Sequence, residues 1–194
     1  MKPLQEWVSQ GMFSTSAIER PLRLLLIDAT GNSEGWEWDV SGRLMSVLGK
    51  RGLVLAEKQV IAITSVSDLA VHAPSLGAAS CVVLFCPGDD VDVWHWLTTN
   101  VNGPKLAVVC QWGDHGGLLA EAVLKAPDAW APIAVAPDSA VAPREGALFL
   151  LKFLTELNLH SDDRMTGRMA WFAWTKANEL LKRRRMTARF RLRT

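Results

Sequence analysis

Tyrosine is absent from this chain of 194 residues and cysteine occurs only three times, whereas tryptophan occurs nine times. A small, odd number of cysteines, two of them inside apolar strand-like runs, excludes a disulfide framework and predicts free thiols. Apolar residues make up 49% of the chain and charged residues 21%, a balance typical of a folded domain. The indole groups need burial or a hydrogen-bond partner, so a substantial core is expected.

Long apolar runs are also lacking. None approaches the roughly 18 residues that a membrane helix needs, and the N-terminal stretch MKPLQEWVSQGMFSTS has no apolar core of the kind found in signal peptides. The first Gly-rich loop, DATGNSEG, lacks the GK[ST] ending of a phosphate-binding loop. No Cys and His spacing is typical of zinc. The sequence therefore predicts a cytoplasmic protein with no transmembrane segment, no cofactor and no metal.

Charge is distributed unevenly along the chain. Residues 182–194 contain seven of the 21 basic residues and no acidic one, which leaves 14 basic against 20 acidic residues elsewhere. A positive end on an acidic body is suited to an acidic protein surface, an anionic membrane or nucleic acid. The segment offers no outward-facing aromatic residues for base stacking, so nucleic acid is not favoured. Arg189, Arg191 and Arg193 are thus candidates for binding an acidic protein partner.

Apolar runs alternate with amphipathic helical stretches along residues 21–194, and residues 1–20 are interpreted as a leader segment. This alternation predicts an α/β domain: a three-layer sandwich with a mainly parallel sheet of five to six strands and helices on both faces. Resemblances of its segments to known families imply a caspase-like or a flavodoxin-like version of this fold. The predicted strands are Leu22–Ile27, Val60–Thr64, Cys81–Cys86, Leu106–Gln111 and Ile133–Ala136. The predicted helices are 38–48, 65–78, one beginning near 89, 118–125, 147–157 and 165–181.

The last segment, Met186–Arg193, has a period of two. Met186, Ala188, Phe190 and Leu192 would lie on one face and the three arginines on the other. This pattern predicts a half-buried strand, and an Arg-rich outer face would discourage pairing with other chains.

The helix predicted over residues 165–181 is apolar nearly all round. Trp171 and Trp174 are three residues apart and share a face, while Met165, Met169 and Phe172 extend the apolar surface. A helix of this kind is either central in the fold or covered by a partner. The sequence favours the core for most of it and leaves Trp171 and Trp174 as candidates for partner contact.

Taken together, these elements resemble the CHAT domains, which are caspase-like cysteine peptidases of bacterial regulatory and defence systems. The resemblance covers residues 22–193. The segments that carry it are LRLLLIDAT from Leu22, Ile63–Leu69, Cys81–Asp89, Leu106–Trp112, Ala131–Ala147 and the closing MTARFRLRT.

Two departures from this family bear on function. The resemblance places the catalytic His at Gly88 and the catalytic Cys at Trp112. Glycine has no side chain, and tryptophan offers only an indole N–H donor. The resemblance therefore implies a peptidase fold without its dyad, acting as a bacterial protein-interaction, regulatory or assembly module.

A receiver domain of two-component signalling is a weaker alternative resemblance. Asp28 ends the first predicted strand, as an acidic residue does in that family. The phosphoacceptor Asp, however, would fall at Cys86 or Pro87, and the Lys after the fifth strand would fall at Pro137. A phosphorylated receiver is not expected.

The second hypothesis for function is a catalytic dyad in which the Cys and the His have exchanged strand ends. Cys86 ends one predicted strand and His115 follows the next, so neighbouring strand ends would bring a thiol close to a base. Asp114 or Asp89 would orient the imidazole. The chain would then be a cysteine peptidase. The sequence leaves this possibility open but favours a buried, inert Cys86 and a non-catalytic domain.

Overall fold

The computed structural model describes residues 18–19, 22–28, 46, 55–62, 65–74, 79–87, 91–100, 106–112, 124, 131, 133–138, 141–159, 164–165 and 167–193. Its strands are β1 (Ile18–Glu19), β2 (Leu22–Asp28), β3 (Leu55–Ala62), β4 (Cys81–Pro87), β5 (Leu106–Trp112), β6 (Ile133–Pro137), β7 (Arg164–Met165) and β8 (Phe190–Arg193). Its helices are α1 (Val66–Val71), α2 (Val91–Asn100), α3 (Pro143–Leu159) and α4 (Gly167–Arg183).

The main sheet has six strands in the order β3-β2-β4-β5-β6-β8. The first five of these pair in parallel, and β8 pairs antiparallel with β6. The short strands β1 and β7 form a separate antiparallel pair, Ile18 opposite Met165 and Glu19 opposite Arg164. The prediction of an α/β fold with a mainly parallel sheet is confirmed, and Phe190–Arg193 within the predicted last segment is a strand.

Alternate residues of the strands pack into two separate hydrophobic clusters, as a pleated strand requires. Leu24 and Leu26 of β2 belong to a cluster completed by α3 and α4. Leu25 and Ile27 belong to a second cluster that contains Leu69 of α1 and residues of α2. The largest fully buried side chains are Phe149, Phe153 and Phe190, all in the first cluster. Helices thus bury both sets of side chains of the sheet.

The first turn of α1 follows the prediction from Ser65-Val-Ser-Asp. The Asp68 carboxylate accepts the backbone N–H of Ser65 at 3.0 Å, and the Asp68 N–H donates to the Ser65 carbonyl at 3.1 Å. The first of these bonds is one half of a capping box. It gives the Ser65 N–H an acceptor that the backbone of the helix does not provide. The helix ends at Val71, residues 73 and 74 are again helical, and residues 75–78 of the predicted helix lie outside the described residues.

Several element boundaries differ from the prediction. Strand β3 begins at Leu55, five residues earlier than predicted, because it lies at the sheet edge, where the polar residues of its first half are tolerated. Pro137 ends β6 rather than starting a loop. Helix α3 begins at Pro143, since proline suits the first helical turn. The predicted helices 38–48 and 118–125 lie outside the described residues, apart from Ser46 and Leu124.

Helix α4 was expected to lie mostly in the core, and the structure shows which of its residues are buried. The buried residues are small, apart from the last: Gly167, Ala170, Ala173, Ala177 and Leu181. Trp171 and Trp174 are half-buried, and Phe172 is 36% exposed. Small side chains are selected here because α4 packs closely on α3. Met165, predicted to begin this helix, lies in β7.

Within the described part of the chain, no helix combines the length and the apolar character needed to cross a lipid bilayer.

Candidate functional site

Two parallel strands, β4 and β5, end side by side at the carboxyl edge of the sheet. Their register pairs Cys86 with Gln111 and Pro87 with Trp112. Gly88 directly follows Pro87 in the chain, while Asp114 and His115 follow Trp112 by two and three residues. Gly88, Asp114 and His115 lie outside the described residues. The ends of β4 and β5 are therefore adjacent, as predicted. The sequence assigns two alternative dyads to these strand ends: Gly88 with Trp112, which lacks catalytic groups, and Cys86 with His115.

The strand order adds a third strand end to this edge. Strand β2 has β3 on one side and β4 on the other, so the order of the sheet reverses there. Ligands of open α/β sheets bind in the crevice beyond such a reversal. Asp28 is the last residue of β2 and is in register with Phe85 of β4. The apolar run that Asp28 closes predicts its position at the end of a strand, but not its place beside β4.

Cys81 is the cysteine whose side chain the structure describes, and it is fully buried. It lies at the start of β4 in the cluster covered by α3 and α4. Burial raises the pKa of this thiol from its ordinary 9.0 to about 12, because the thiolate would lose its hydration. Cys81 is therefore a core residue with no nucleophilic role at neutral pH.

We expect Cys81 to resist alkylation in the folded protein at pH 8 and to react once urea unfolds the chain, as mapped by mass spectrometry. Because its folded pKa is raised, the contribution of Cys81 to stability is complete below pH 9 and declines as the pH rises toward 12. Melting temperatures across that range should fall more steeply for the wild type than for Cys81→Ala. Rapid labelling at pH 8 without urea would contradict the burial of this thiol.

No metal site is found among the described residues: no group of three or more His, Cys, Asp or Glu side chains is placed to hold an ion. His95 is exposed on α2, and His72 is half-buried just after α1. Asp92 lies in the first turn of α2, where a negative charge interacts favourably with the helix dipole.

The three arginines of the closing segment make contacts within the fold. Arg189 donates from Nη1 to the carbonyls of Met186 and Ala188, at 2.8 and 2.6 Å. Arg193 donates to the carbonyls of Leu124 and Ala131, at 3.2 and 2.6 Å. Desolvation by burial lowers the pKa of Arg193. Both guanidinium groups therefore hold the end of the chain in place.

Arg191 forms an ion pair with a neighbouring loop. Its Nε lies 2.7 Å from Oδ1 of Asp138, the residue that follows β6. At this distance the opposite charges of the two groups attract each other. Both side chains are more than 40% exposed, and such surface pairs contribute little to stability.

The segment that precedes β8 is anchored by Glu145, which the sequence does not single out as a candidate residue. The Glu145 carboxylate, in the first turn of α3, accepts the backbone N–H groups of Thr187 and Ala188, each at 3.1 Å. Hydrogen bonds to a charged acceptor are among the stronger ones in proteins. The sequence shows only that Glu145 is an acidic residue close after Pro143. This pattern indicates the start of a helix, but it does not reveal that Glu145 binds Thr187 and Ala188.

A second anchor comes from α4. Asn178 accepts the Phe190 N–H at 3.0 Å and donates to the Phe190 carbonyl at 3.2 Å. The Trp174 indole N–H donates to the same carbonyl. Trp174, a candidate for partner contact, is thus used inside the fold, while Trp171 is half-buried on the same helix.

The remaining basic residues of the C-terminal region form what we call the basic turn, Lys182–Arg185. All four side chains are exposed; Lys182 and Arg183 end α4, and Arg184 and Arg185 lie in the turn that follows. Within the part of the chain that the structure describes, none of them forms an ion pair with a carboxylate. The exposed positive charge of the C-terminal region is therefore concentrated here.

No family model and no curated protein matches this chain. Its functional assignment consequently rests on its own residues and their arrangement.

Proposed function

We propose that this chain is a non-catalytic, caspase-like (pseudo-peptidase) domain that acts as a bacterial protein-interaction, regulatory or assembly module. One observation carries the proposal: Pro87 and Trp112 are in register at the carboxyl ends of neighbouring parallel strands. The resemblance to CHAT domains assigns the catalytic His to Gly88, next to Pro87, and the catalytic Cys to Trp112. Neither residue supplies a base or a nucleophile.

The sheet and its core support the caspase-like assignment. The two hydrophobic clusters, each completed by its own helices, favour a three-layer sandwich. Numbered along the chain, the five parallel strands have the order 2-1-3-4-5 of a flavodoxin-like sheet. The additional antiparallel strand β8 favours the caspase-like over the receiver-like alternative, since the closing segment is the part of the chain that distinguishes them.

A cysteine peptidase using Cys86 and His115 is the second candidate. The observation that favours it is the pairing of Cys86 with Gln111, which precedes His115 by four residues. A loop of that length can bring an imidazole to a thiol on the neighbouring strand. Asp114 would orient the imidazole, as the third member of such a site does.

Thiol labelling separates these two functions. We expect Cys86 to be as unreactive toward iodoacetamide at pH 7 as buried Cys81, because no base activates it. The measurement is site-resolved labelling of the wild type, Cys86→Ala and His115→Ala by mass spectrometry, with Cys81 as the internal standard for an inert thiol.

Selective labelling of Cys86 that disappears in His115→Ala would support the peptidase and overturn the non-catalytic domain. Equal inertness of all three cysteines in the folded protein would exclude an activated thiolate.

The partner of this module is an acidic protein. The 182–194 region carries seven basic residues and no acidic one, so its charge is complementary to carboxylates. Arg189, Arg191 and Arg193 lie in this region together with the basic turn.

A further inference from the structure

The seven basic residues at the C-terminal end fall into two groups with different surroundings. Arg189, Arg191 and Arg193 contact backbone carbonyls or a carboxylate of their own chain. The basic turn, Lys182–Arg185, is exposed, and the described residues offer it no ion pair. The helix dipole favours Lys182 and Arg183 in the last turn of α4, but four neighbouring cations without counter-charges also repel one another.

Arg185 has an unusual backbone conformation. Its φ of 57° is in the left-handed region, and no other described non-glycine residue has a positive φ. The Met186 N–H donates to the Leu181 carbonyl and the Arg185 N–H to the Lys182 carbonyl, both at 3.0 Å. These two bonds form a Schellman motif, whose left-handed residue is usually glycine because a Cβ is disfavoured there.

Within the described residues, no contact requires an arginine side chain at position 185. The Arg185 side chain makes no hydrogen bond or ion pair within the described residues, and its backbone conformation favours glycine. Residues held in an unfavourable conformation are often retained for function. Arginine at position 185 supplies a positive charge, which glycine would not.

We propose that the basic turn is the docking site for an acidic segment of a partner protein, with Arg185 as a binding residue. This inference rests on the proposed function as an interaction module and identifies the surface that the module uses. Successive residues at a helix end point about 100° apart around the axis. Lys182 and Arg183 therefore diverge at the end of α4, and Arg184 and Arg185 continue the positive charge into the turn that follows, an arrangement suited to the carboxylates of a flexible chain.

The surroundings of the basic turn favour a protein over other polyanions. Residues 180–187 contain no aromatic side chain on which a base could stack. The exposed large hydrophobic residues in the described part of the chain are Val71 and Phe172, neither of them in the turn. A membrane-binding surface would place apolar residues beside its cations. The absence of these features from the turn favours a carboxylate-rich polypeptide as the partner.

The test measures binding of a fluorescein-labelled oligoglutamate peptide by anisotropy, together with thermal stability. Arg185→Gly should weaken binding roughly fivefold to tenfold while raising the melting temperature by roughly 2–4 °C, because glycine relieves the left-handed backbone. Arg185→Ala should weaken binding equally without that rise. Arg168→Ala, which removes an exposed cation at the opposite end of α4, is the matched control and should bind like the wild type.

Three outcomes would overturn the proposal: no binding of oligoglutamate to the wild type, equal binding by the wild type and Arg185→Gly, or an equal loss in Arg168→Ala. Tighter binding to a single-stranded oligodeoxynucleotide or to phosphatidylserine vesicles than to oligoglutamate would also overturn it, in favour of those polyanions. Each of these results is independent of the cysteine labelling, so failure of the docking site and failure of the non-catalytic assignment are distinguishable.

Discussion

Replacing Phe149 by alanine should lower the free energy of unfolding by about 3–5 kcal/mol, the usual cost of emptying a buried aromatic position. Phe149 is fully buried on α3. Its ring is stacked 3.8 Å from the Phe190 ring of β8 and 5.7 Å from the Phe153 ring, measured between centroids. The side chain thus joins the helix to the closing strand, and its loss removes contacts on both.

The matched control is Phe172→Ala on α4. Phe172 is 36% exposed and has Lys176 Nζ 5.5 Å from its ring centroid, so its removal should cost less than about 1 kcal/mol. Urea unfolding followed by circular dichroism measures both variants. Phe149→Leu, which leaves a smaller cavity, keeps the comparison possible if Phe149→Ala does not fold. Equal losses for Phe149→Ala and Phe172→Ala would contradict the placement of Phe149 at the centre of the core.

The sequence predicted those parts of the fold that depend on local patterns. The period of two in Met186–Arg193 placed Phe190 and Leu192 toward the core, and both pack in the cluster formed by α3 and α4. The start of β3 was missed because Glu57, Lys58 and Gln59 are polar, and nothing local indicates that a strand will lie at a sheet edge.

The residues on the buried face of α4 could not be identified from the sequence for a different reason. Hydrophobicity ranks tryptophan and phenylalanine above alanine as core residues, whereas the distance between two packed helices is set by the smallest side chains between them. Ala170, Ala173 and Ala177 therefore take the buried positions. Pairwise packing of this kind cannot be recognised from one helix alone.

The candidate site was predictable only as far as the strand ends. The alternation of strands and helices predicts a parallel sheet, and this was sufficient to place Cys86 and Trp112 on neighbouring strands. The anchors of the closing segment were not predictable, because Glu145 bonds to residues 42 and 43 positions away. Hydrogen bonds over such separations depend on the finished topology and leave no periodic signal.

Asn178 is expected to be the most important polar side chain for holding β8 in place. Antiparallel pairing with β6 directs the backbone groups of Arg189, Arg191 and Arg193 toward β6 and those of Phe190 away from it. Asn178 supplies a donor and an acceptor to Phe190, as a neighbouring strand would. The same amide also donates to the Trp174 carbonyl at 3.3 Å.

Asn178→Ala should therefore lower the free energy of unfolding by about 2 kcal/mol, because it leaves the N–H of buried Phe190 without its acceptor. The Phe190 carbonyl keeps the Trp174 indole as a donor, so the loss should be concentrated at the amide. Hydrogen exchange measured by NMR should show faster exchange at Phe190 than the global destabilisation alone explains.

Two further variants test this explanation. Asn100→Ala is the matched control, since Asn100 donates to the Trp96 carbonyl at 2.9 Å from an exposed position at the end of α2 and should change stability by less than about 0.5 kcal/mol. Asn178→Asp keeps the acceptor for the Phe190 N–H but places a negative oxygen against the Phe190 carbonyl. It should preserve the slow exchange of the Phe190 amide better than Asn178→Ala does. If the Phe190 amide exchanges at the wild-type rate in both Asn178 variants, the side chain of Asn178 is dispensable. In that case β8 is held by its pairing with β6 and by Phe149.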